Sequence, residues 1–298
     1  MLEKMIQTQT EKQTQTLDRW LEKREREQAF PAGVRLTPDV PYMDDGAACH
    51  KMDIYQPEEG TGTYPVLINL HGGGFLLGRK EINRLFCADL CLRGFVVFCP
   101  EYPLAPEQTV FAAYRDVSAA IDRSCALAPS YGGDPSRLFL CGDSAGAQLC
   151  IYLAAMQNVP ELARAAGVTP PATKIRALGL QSGMFYTDRF DKIGLFLPNS
   201  IYGKGWRKCA FRPYINPENP TLLRSLPPCF LVTAKGDFLR HYSRKFAAAL
   251  RRSGNPLRFM DLEADHPLPH AFPAMLPETP EAQEANAAMA AFFLAQGA

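Results

Sequence analysis

A serine between glycines is the first stretch of this sequence that could do chemistry. The letters GDSAG (142–146) lie between an apolar run, 137–142, and a helix-compatible run, 145–157. Glycines two positions before and after the serine let a strand and a helix pass close together, and a serine at such a turn is strained, with its hydroxyl exposed. Ser144 is therefore a candidate nucleophile, although an ordinary glycine turn could carry the same letters.

Three successive glycines follow another apolar run, in the letters INLHGGGF (68–75). Their backbone N–H groups are not shielded by side chains, so they could hydrogen-bond the negative oxygen that develops when a hydroxyl attacks a carbonyl. The usual arrangement adds the N–H of the residue after the nucleophile, here Ala145. The stretch predicts an oxyanion hole, and a flexible turn is the alternative.

A serine hydroxyl is a weak nucleophile, so a base and an orienting acid are needed. Asp237 follows the apolar run 228–234 directly, where a carboxylate can face a site at the carboxyl edge of a sheet. The same position also suits a helix N-cap. Both readings stay open from the residues alone.

Only five histidines compete for the role of base. The chain order Ser, Asp, His disfavours those that precede Asp237 or lie one turn after it, namely His50, His71 and His241. His266 and His270 remain, and we favour His270 because a small residue and Phe272 follow it, whereas His266 stands between Asp265 and Pro267.

The elements that must position these residues alternate between strand and helix. Compact apolar runs predict five buried strands, and helix-compatible runs lie between most of them. Such alternation predicts an α/β fold with a mostly parallel sheet covered on both faces. The predicted strands are 64–70, 94–100, 137–142, 175–182 and 228–234, and the predicted helices are 81–93, 111–127, 145–157 and 243–254.

Two segments depart from this rhythm. Residues 1 to about 29 read as a polar amphipathic helix or a solvated arm, and 184–218 is rich in aromatic residues without a clear period. Aromatic insertions can form lids over a site or simply structured loops. We expect an N-terminal helical cap segment over 1–45, and a catalytic domain over 46–298 with a cap insertion around 184–218.

The amino-acid composition indicates which kinds of binding partner the protein has. Lys plus Arg number 32 against 31 Asp plus Glu, which gives no electrostatic case for nucleic acid or an anionic membrane. No apolar run approaches the roughly 20 residues that span a bilayer. The nine cysteines form no CxxC pair, several lie in apolar runs, and the first residues lack the apolar core of a secretory signal. These features favour a cytoplasmic protein with a small, uncharged ligand.

Five motifs in this order resemble the α/β-hydrolase fold, and within it the hormone-sensitive-lipase-like carboxylesterases of bacterial family IV. The motifs cover the chain from about residue 50 to its end: HGGGF (71–75), PEYPLAPE (100–107), GDSAG (142–146), GDFLR (236–240) and HAF (270–272). The resemblance implies Ser144 as nucleophile, Asp237 as acid, His270 as base, and oxyanion donors at Gly73, Gly74 and Ala145.

The chain also departs from the family pattern. Pro103 stands where the family has arginine, Ala147 and Ala271 stand where it has glycine, and the segment 265–269 looks expanded. These changes affect the histidine loop and the pocket shape, so His266 stays open as the base.

The resulting hypothesis is a serine carboxylesterase for short- to medium-chain acyl esters that needs no metal or cofactor. Phe75, Phe185 and Tyr186 are expected to line and narrow its pocket. An amidase or a deacetylase of acetylated sugars could use the same residues, and a receptor on a hydrolase scaffold is the rival of a different class. Exposed sheet edges could pair two copies into a homodimer.

Overall fold

A single eight-stranded sheet organises the chain in the computed structural model, which describes residues 2–59, 62–189 and 191–297. Met1 and Phe190, which belong to the two predicted cap segments, lie outside these ranges. The strand order is β1-β2-β4-β3-β5-β6-β7-β8, and the strands are β1 (Val34–Pro41), β2 (Lys51–Pro57), β3 (Tyr64–Leu70), β4 (Val96–Pro100), β5 (Gly133–Asp143), β6 (Ile175–Gln181), β7 (Cys229–Ala234) and β8 (Leu257–Leu262).

Helices connect the strands and cover the sheet. They are α1 (Leu2–Glu27), α2 (Arg84–Leu92), α3 (Val110–Leu127), α4 (Ala145–Met156), α5 (Pro160–Ala166), α6 (Lys192–Phe196), α7 (Pro198–Tyr202), α8 (Pro220–Ser225), α9 (Arg240–Ser253), α10 (Phe272–Met275) and α11 (Pro280–Gly297).

The five predicted strands form the centre of the sheet, as β3 to β7. Strands β3 to β8 run parallel to one another, whereas β2 pairs antiparallel with β1 and with β4. Helices α3, α4 and α9 pack on one face and α2 and α11 on the other, each over its own apolar core. The predicted α/β fold with a mostly parallel, doubly covered sheet is confirmed.

The three strands that were not predicted lie at or near the sheet edges. The edge strands β1 and β8 bury few side chains fully, so their sequences lack the continuous apolar run of a central strand. Strand β1 also lies inside the segment predicted as a helical cap, whose helical part ends at Glu27. The N-terminal segment therefore contributes both a helix and a strand of the sheet.

The N-terminal helix packs beside α2 and the chain between α10 and α11. Leu21 is buried, and the Arg24 guanidinium hydrogen-bonds the Met275 carbonyl oxygen and lies 2.8 Å from Glu278. Arg84 contacts Glu25 at 3.1 Å. Helix α1 is thereby attached to the segment that follows the histidine loop.

The insertion over 184–218 folds into short helices that pack on α3 and α4. It contains α6, α7 and two 3-10 turns, and its aromatic side chains join those of the two long helices. Phe211 is fully buried and lies edge-on to Phe111 and tilted against Tyr152. The aromatic richness of this segment thus forms a small core that fixes the insertion beside the helix that begins after Ser144.

None of the helices in the described ranges is both long enough and apolar enough to cross a membrane.

Candidate active site

The serine lies at the turn between β5 and α4. Ser144 has φ of 52° and ψ of −112°, a left-handed strained conformation, as the sequence predicted. A methyl group on Gly146 would overlap the Leu70 carbonyl oxygen, so only glycine lets α4 begin this close to β3. The Ser144 N–H donates to the Gln181 carbonyl at 2.9 Å, and the Met184 N–H donates to the Ser144 carbonyl at 2.9 Å. These bonds fix the serine to the neighbouring β6.

The glycine loop that follows β3 presents free backbone N–H groups. Gly73 and Gly74 have φ of 119° and 64°, and a side chain at Gly73 would overlap the Leu77 carbonyl oxygen. Within the described ranges, neither glycine N–H has a hydrogen-bond acceptor. The Ala145 N–H, in the first turn of α4, is also without an intrahelical partner. The three N–H groups thus have no hydrogen-bond partner among the described residues, and their role as oxyanion donors stays a prediction.

A buried carboxylate next to the serine anchors the glycine loop. Asp143 Oδ1 accepts a hydrogen bond from the Gly72 N–H at 3.0 Å and another from the Asn83 side chain at 2.8 Å. Burial outweighs these bonds and raises the pKa of Asp143. A side chain at Gly72 would overlap the carboxylate. Sequence analysis missed this role of Asn83, which lies in a predicted helix without a motif around it.

A buried histidine holds the start of the same loop. His71 Nδ1 lies 2.7 Å from the Gly72 carbonyl oxygen, and its Nε2 lies 3.0 Å from Glu101 Oε1. Burial opposes protonation, but attraction by Glu101 and both hydrogen bonds outweigh it and raise the pKa of His71. Because both partners are acceptors, this arrangement favours an imidazole that carries two protons. Tyr102 stacks on the ring at 4.2 Å and donates to the His71 carbonyl.

The acid and the favoured base lie together beyond β7 and β8. His270 Nδ1 lies 2.6 Å from Asp237 Oδ1. The carboxylate also accepts from the Thr233 hydroxyl at 2.7 Å and from the Leu239 N–H at 2.8 Å. Burial would raise the pKa of Asp237, yet the hydrogen bond and charge of His270 lower it overall. The carboxylate is ionised, so His270 Nδ1 donates the proton and Nε2 is left to act elsewhere.

The rival histidine, His266, is exposed and has a different ionic partner. The His266 side chain is 57% exposed, and its nearest ionic partner is Glu281 at 3.7 Å. The geometry therefore favours His270 over His266 as the base.

The loop that carries His270 is fixed to the end of β6. Ala271 has φ of 55°, a conformation that favours glycine, and its N–H donates to the Ser182 hydroxyl at 3.0 Å. The N–H of Ser182 donates in turn to the Val232 carbonyl at 2.9 Å. Because Gln181, the neighbour of Ser182, binds the Ser144 N–H, the same strand end holds both the serine turn and the histidine loop.

Among the described residues, no hydrogen bond joins the Ser144 hydroxyl to His270. The charge of His270 acts on the buried carboxylate of Asp143, the residue that precedes the serine. Catalytic hydrogen bonds are often long in unliganded sites and tighten when substrate binds. Ser144 as a whole is buried, with 7% of its surface exposed.

The three predicted pocket residues lie in the packed interior around the site. Phe75 follows the glycine loop and is 2% exposed. Phe185 is fully buried and stacks on Phe246 at 4.2 Å, whereas Tyr186 packs edge-on against Tyr242. Contact of these rings with a substrate stays a prediction.

An exposed aromatic residue at the site was missed by sequence analysis. Phe238 follows Asp237, is 66% exposed, and lies 4.3 Å from the His270 ring. Its position in the GDFLR motif was visible, but exposure cannot be read from a single letter in a turn.

The site can thus supply a strained serine, an acid and base pair, and a loop of free N–H groups. No group of three His, Cys, Asp or Glu side chains arranged to hold a metal occurs within residues 2–59, 62–189 and 191–297. Acyl transfer through the serine is the chemistry that this set of groups can perform.

Comparison with known proteins agrees with this fold. The sequence model of a family described as alpha/beta hydrolase fold matches residues 67–273. The chain is 30% identical over 216 residues to a probable isoprenylcysteine alpha-carbonyl methylesterase of Arabidopsis thaliana, covering 69% of this chain and 45% of the relative. It is 29% identical over 222 residues to carboxylesterase NlhH of Mycobacterium tuberculosis, and the match covers 70% of this chain and 68% of that relative. The chain spans about half the length of the plant relatives.

A solved structure, esterase B from Lactobacillus Rhamnosis, is similar over nearly the whole chain. The TM-score is 0.91 at 21% sequence identity, and the match covers 99% of this chain and 96% of that one. At this identity the likeness concerns the fold.

Proposed function

This chain belongs to the alpha/beta hydrolase fold family, and on that premise we propose that it is a serine carboxylesterase that works through an acyl-enzyme. The single observation that carries the proposal is the 2.6 Å contact of His270 with Asp237 at the sheet edge that the strained Ser144 also reaches. The resemblance to hormone-sensitive-lipase-like enzymes of bacterial family IV supports the same reaction, as do the names of the relatives.

In the first step, His270 Nε2 takes the proton of the Ser144 hydroxyl while the oxygen bonds to the ester carbonyl carbon. The N–H groups of Gly73, Gly74 and Ala145 bind the negative oxygen that forms. Loss of one such donor typically lowers kcat by about 10²–10³-fold. The ester C–O bond then breaks, and His270 returns the proton to the leaving alcohol.

In the second step, His270 takes a proton from water, and the water oxygen attacks the acyl carbon of the acyl-enzyme. The acid leaves, and Ser144 regains its proton. Asp237 holds His270 in one tautomer and stabilises its charged form in both steps. The low pKa of Asp237 keeps this carboxylate ionised throughout.

Two segments are proposed to cover the site. The insertion 184–218 is attached to the serine through the Met184 N–H, and α1 reaches Met275, which lies five residues after His270. Phe75, Phe185 and Tyr186 are bulky, buried side chains, and if they line the pocket they favour short- to medium-chain acyl groups. The similar esterase B has been crystallised with a C4-C4 SN3 tributyrin phosphonate, which supports the same proposal.

Burst release of p-nitrophenol from p-nitrophenyl acetate tests this function. We expect one equivalent released rapidly by the wild type and by Ser130→Ala, a matched change at an exposed serine, and none by Ser144→Ala. A parallel panel of p-nitrophenyl esters, p-nitroanilides and acetylated sugars separates an esterase from an amidase or a sugar deacetylase. An unchanged burst in Ser144→Ala, or no burst in the wild type, would contradict the proposal.

A further inference from the structure

Phe238 is an apolar side chain left exposed beside the proposed base. Its neighbours Asp237 and Leu239 are buried at 5% and 2% exposure, whereas Phe238 is 66% exposed. The Leu239 N–H donates to Asp237 and the Arg240 N–H to the Asp237 carbonyl, so this turn is fixed and directs residue 238 outward. Single exposed apolar side chains are common, so exposure alone does not indicate a function for Phe238. Its position relative to His270 does.

The ring of Phe238 lies against the imidazole of His270. The two ring centres are 4.3 Å apart and the planes are tilted by 38°. Asp237 occupies Nδ1 of the imidazole, which leaves Nε2 to exchange protons with the substrate. Because the imidazole packs against Phe238, a group that binds at Nε2 lies near the Phe238 ring.

The direction of proton transfer identifies which half of the ester lies near Nε2 of His270. His270 gives its proton to the oxygen of the leaving alcohol, whereas the acyl carbon is held at Ser144 and the glycine loop. The alcohol half of the ester must therefore lie on the imidazole side of the site.

We infer that Phe238 is a specificity-determining residue that binds the alcohol half of the substrate and selects esters of aromatic or other bulky apolar alcohols. This inference rests on the proposed esterase function. Covering an exposed phenylalanine with an aromatic group is favourable both through burial of apolar surface and through ring packing. An effect on the order of tenfold in selectivity is expected.

Transfer of the acyl group to added alcohols tests the inference separately from hydrolysis. The acyl-enzyme formed from p-nitrophenyl acetate is offered benzyl alcohol and methanol at equal concentration. The alcohol oxygen bonds to the acyl carbon, His270 takes the hydroxyl proton, and Ser144 leaves with its proton restored. The ratio of benzyl acetate to methyl acetate does not depend on how much of a variant is folded.

We expect the wild type to favour benzyl acetate and Phe238→Ala to lower the product ratio about tenfold. Phe238→Trp should retain the preference, and Phe30→Ala, a change at another exposed phenylalanine, should leave the ratio unchanged. As a second readout, kcat/KM for p-nitrophenyl acetate relative to p-nitrophenyl butyrate should not change in Phe238→Ala.

An unchanged product ratio in Phe238→Ala overturns the inference, and so does a shift in acyl preference with a constant alcohol preference. An equal loss for every alcohol and every acyl group would mean that Phe238 only positions His270. Failure of the wild type to release p-nitrophenol would instead refute the esterase function itself.

Discussion

Nδ1 of His270 lies 2.6 Å from Oδ1 of Asp237, although the two residues are 33 positions apart in the sequence. The contact forms because β7 and β8 are adjacent parallel strands, so the loops after them meet at the same edge of the sheet. The strained Ser144 reaches that edge from β5, with β6 between.

Replacement of the two candidate histidines should give opposite results. We expect His270→Ala to lower kcat/KM for p-nitrophenyl acetate by at least about 10³-fold, because the serine loses its base. His266→Ala should stay within about twofold of the wild type, since His266 is exposed and pairs with Glu281 at 3.7 Å. Steady-state kinetics check both variants. Full activity in His270→Ala, or a large loss confined to His266→Ala, would assign the base to the other histidine.

The ion pair between His71 and Glu101 should make the glycine loop sensitive to pH. The pKa of His71 is raised in the folded protein, so its protonated form stabilises the fold. This stabilisation is complete below pH 6.5, about the ordinary pKa of histidine, and is lost as the pH rises through the raised pKa. The pKa of Glu101 is lowered in the folded protein, so its ionised form stabilises the fold. This stabilisation is present above the ordinary glutamate pKa of about 4.3 and is lost as the pH falls through the lowered pKa.

The variant Glu101→Gln removes the charge of this pair and keeps its shape. We expect the wild type to exceed the variant in stability by about 2 kcal/mol at pH 5–6, with a smaller difference at both higher and lower pH. Thermal unfolding between pH 3 and 10 measures this difference, and Glu59→Gln, at an exposed position, is the matched control. A difference that is constant across the whole pH range would argue against a charged His71.

Gly146 should tolerate no side chain. A methyl group there overlaps the Leu70 carbonyl oxygen, and neither backbone can move without displacing Ser144 or β3. We expect Gly146→Ala to lower the free energy of unfolding by roughly 1–3 kcal/mol, together with activity. Gly62→Ala is the control, because a methyl group there meets, among the described residues, only the Tyr64 ring at 4.0 Å. Chemical denaturation of both variants measures their free energies of unfolding. Equal stability of the two would show that α4 does not need to approach β3 this closely.

The sequence predicted the centre of the sheet and the proposed catalytic groups because continuous apolar runs and local motifs carry both. The edge strands β1 and β8 were missed because a strand that buries few side chains has no such run. The residues that hold the motifs together were also missed. Asn83 and Ser182 act through contacts with residues 60 and 89 positions away, and spacing along the chain does not encode such pairs.

The histidine loop illustrates the same limit. The replacement of glycine by Ala271 suggested a changed loop, and Ala271 adopts φ of 55° and donates its N–H to the Ser182 hydroxyl. Neighbouring residues in the sequence favoured His270 over His266. The burial of each ring and its hydrogen-bond partner, however, are known only from the three-dimensional structure. The exposure of Phe238 beside His270 likewise depends on how the turn after β7 folds.

Reaction with an alkyl p-nitrophenyl phosphonate, followed by mass spectrometry of tryptic peptides, tests the proposed nucleophile most directly. The peptide between Arg137 and Arg164 contains Ser144 as its only serine. We predict one phosphonyl group per chain, located on Ser144 and formed in parallel with the loss of esterase activity. A phosphonyl group on any other residue, or complete loss of activity without a modified Ser144, would contradict the account.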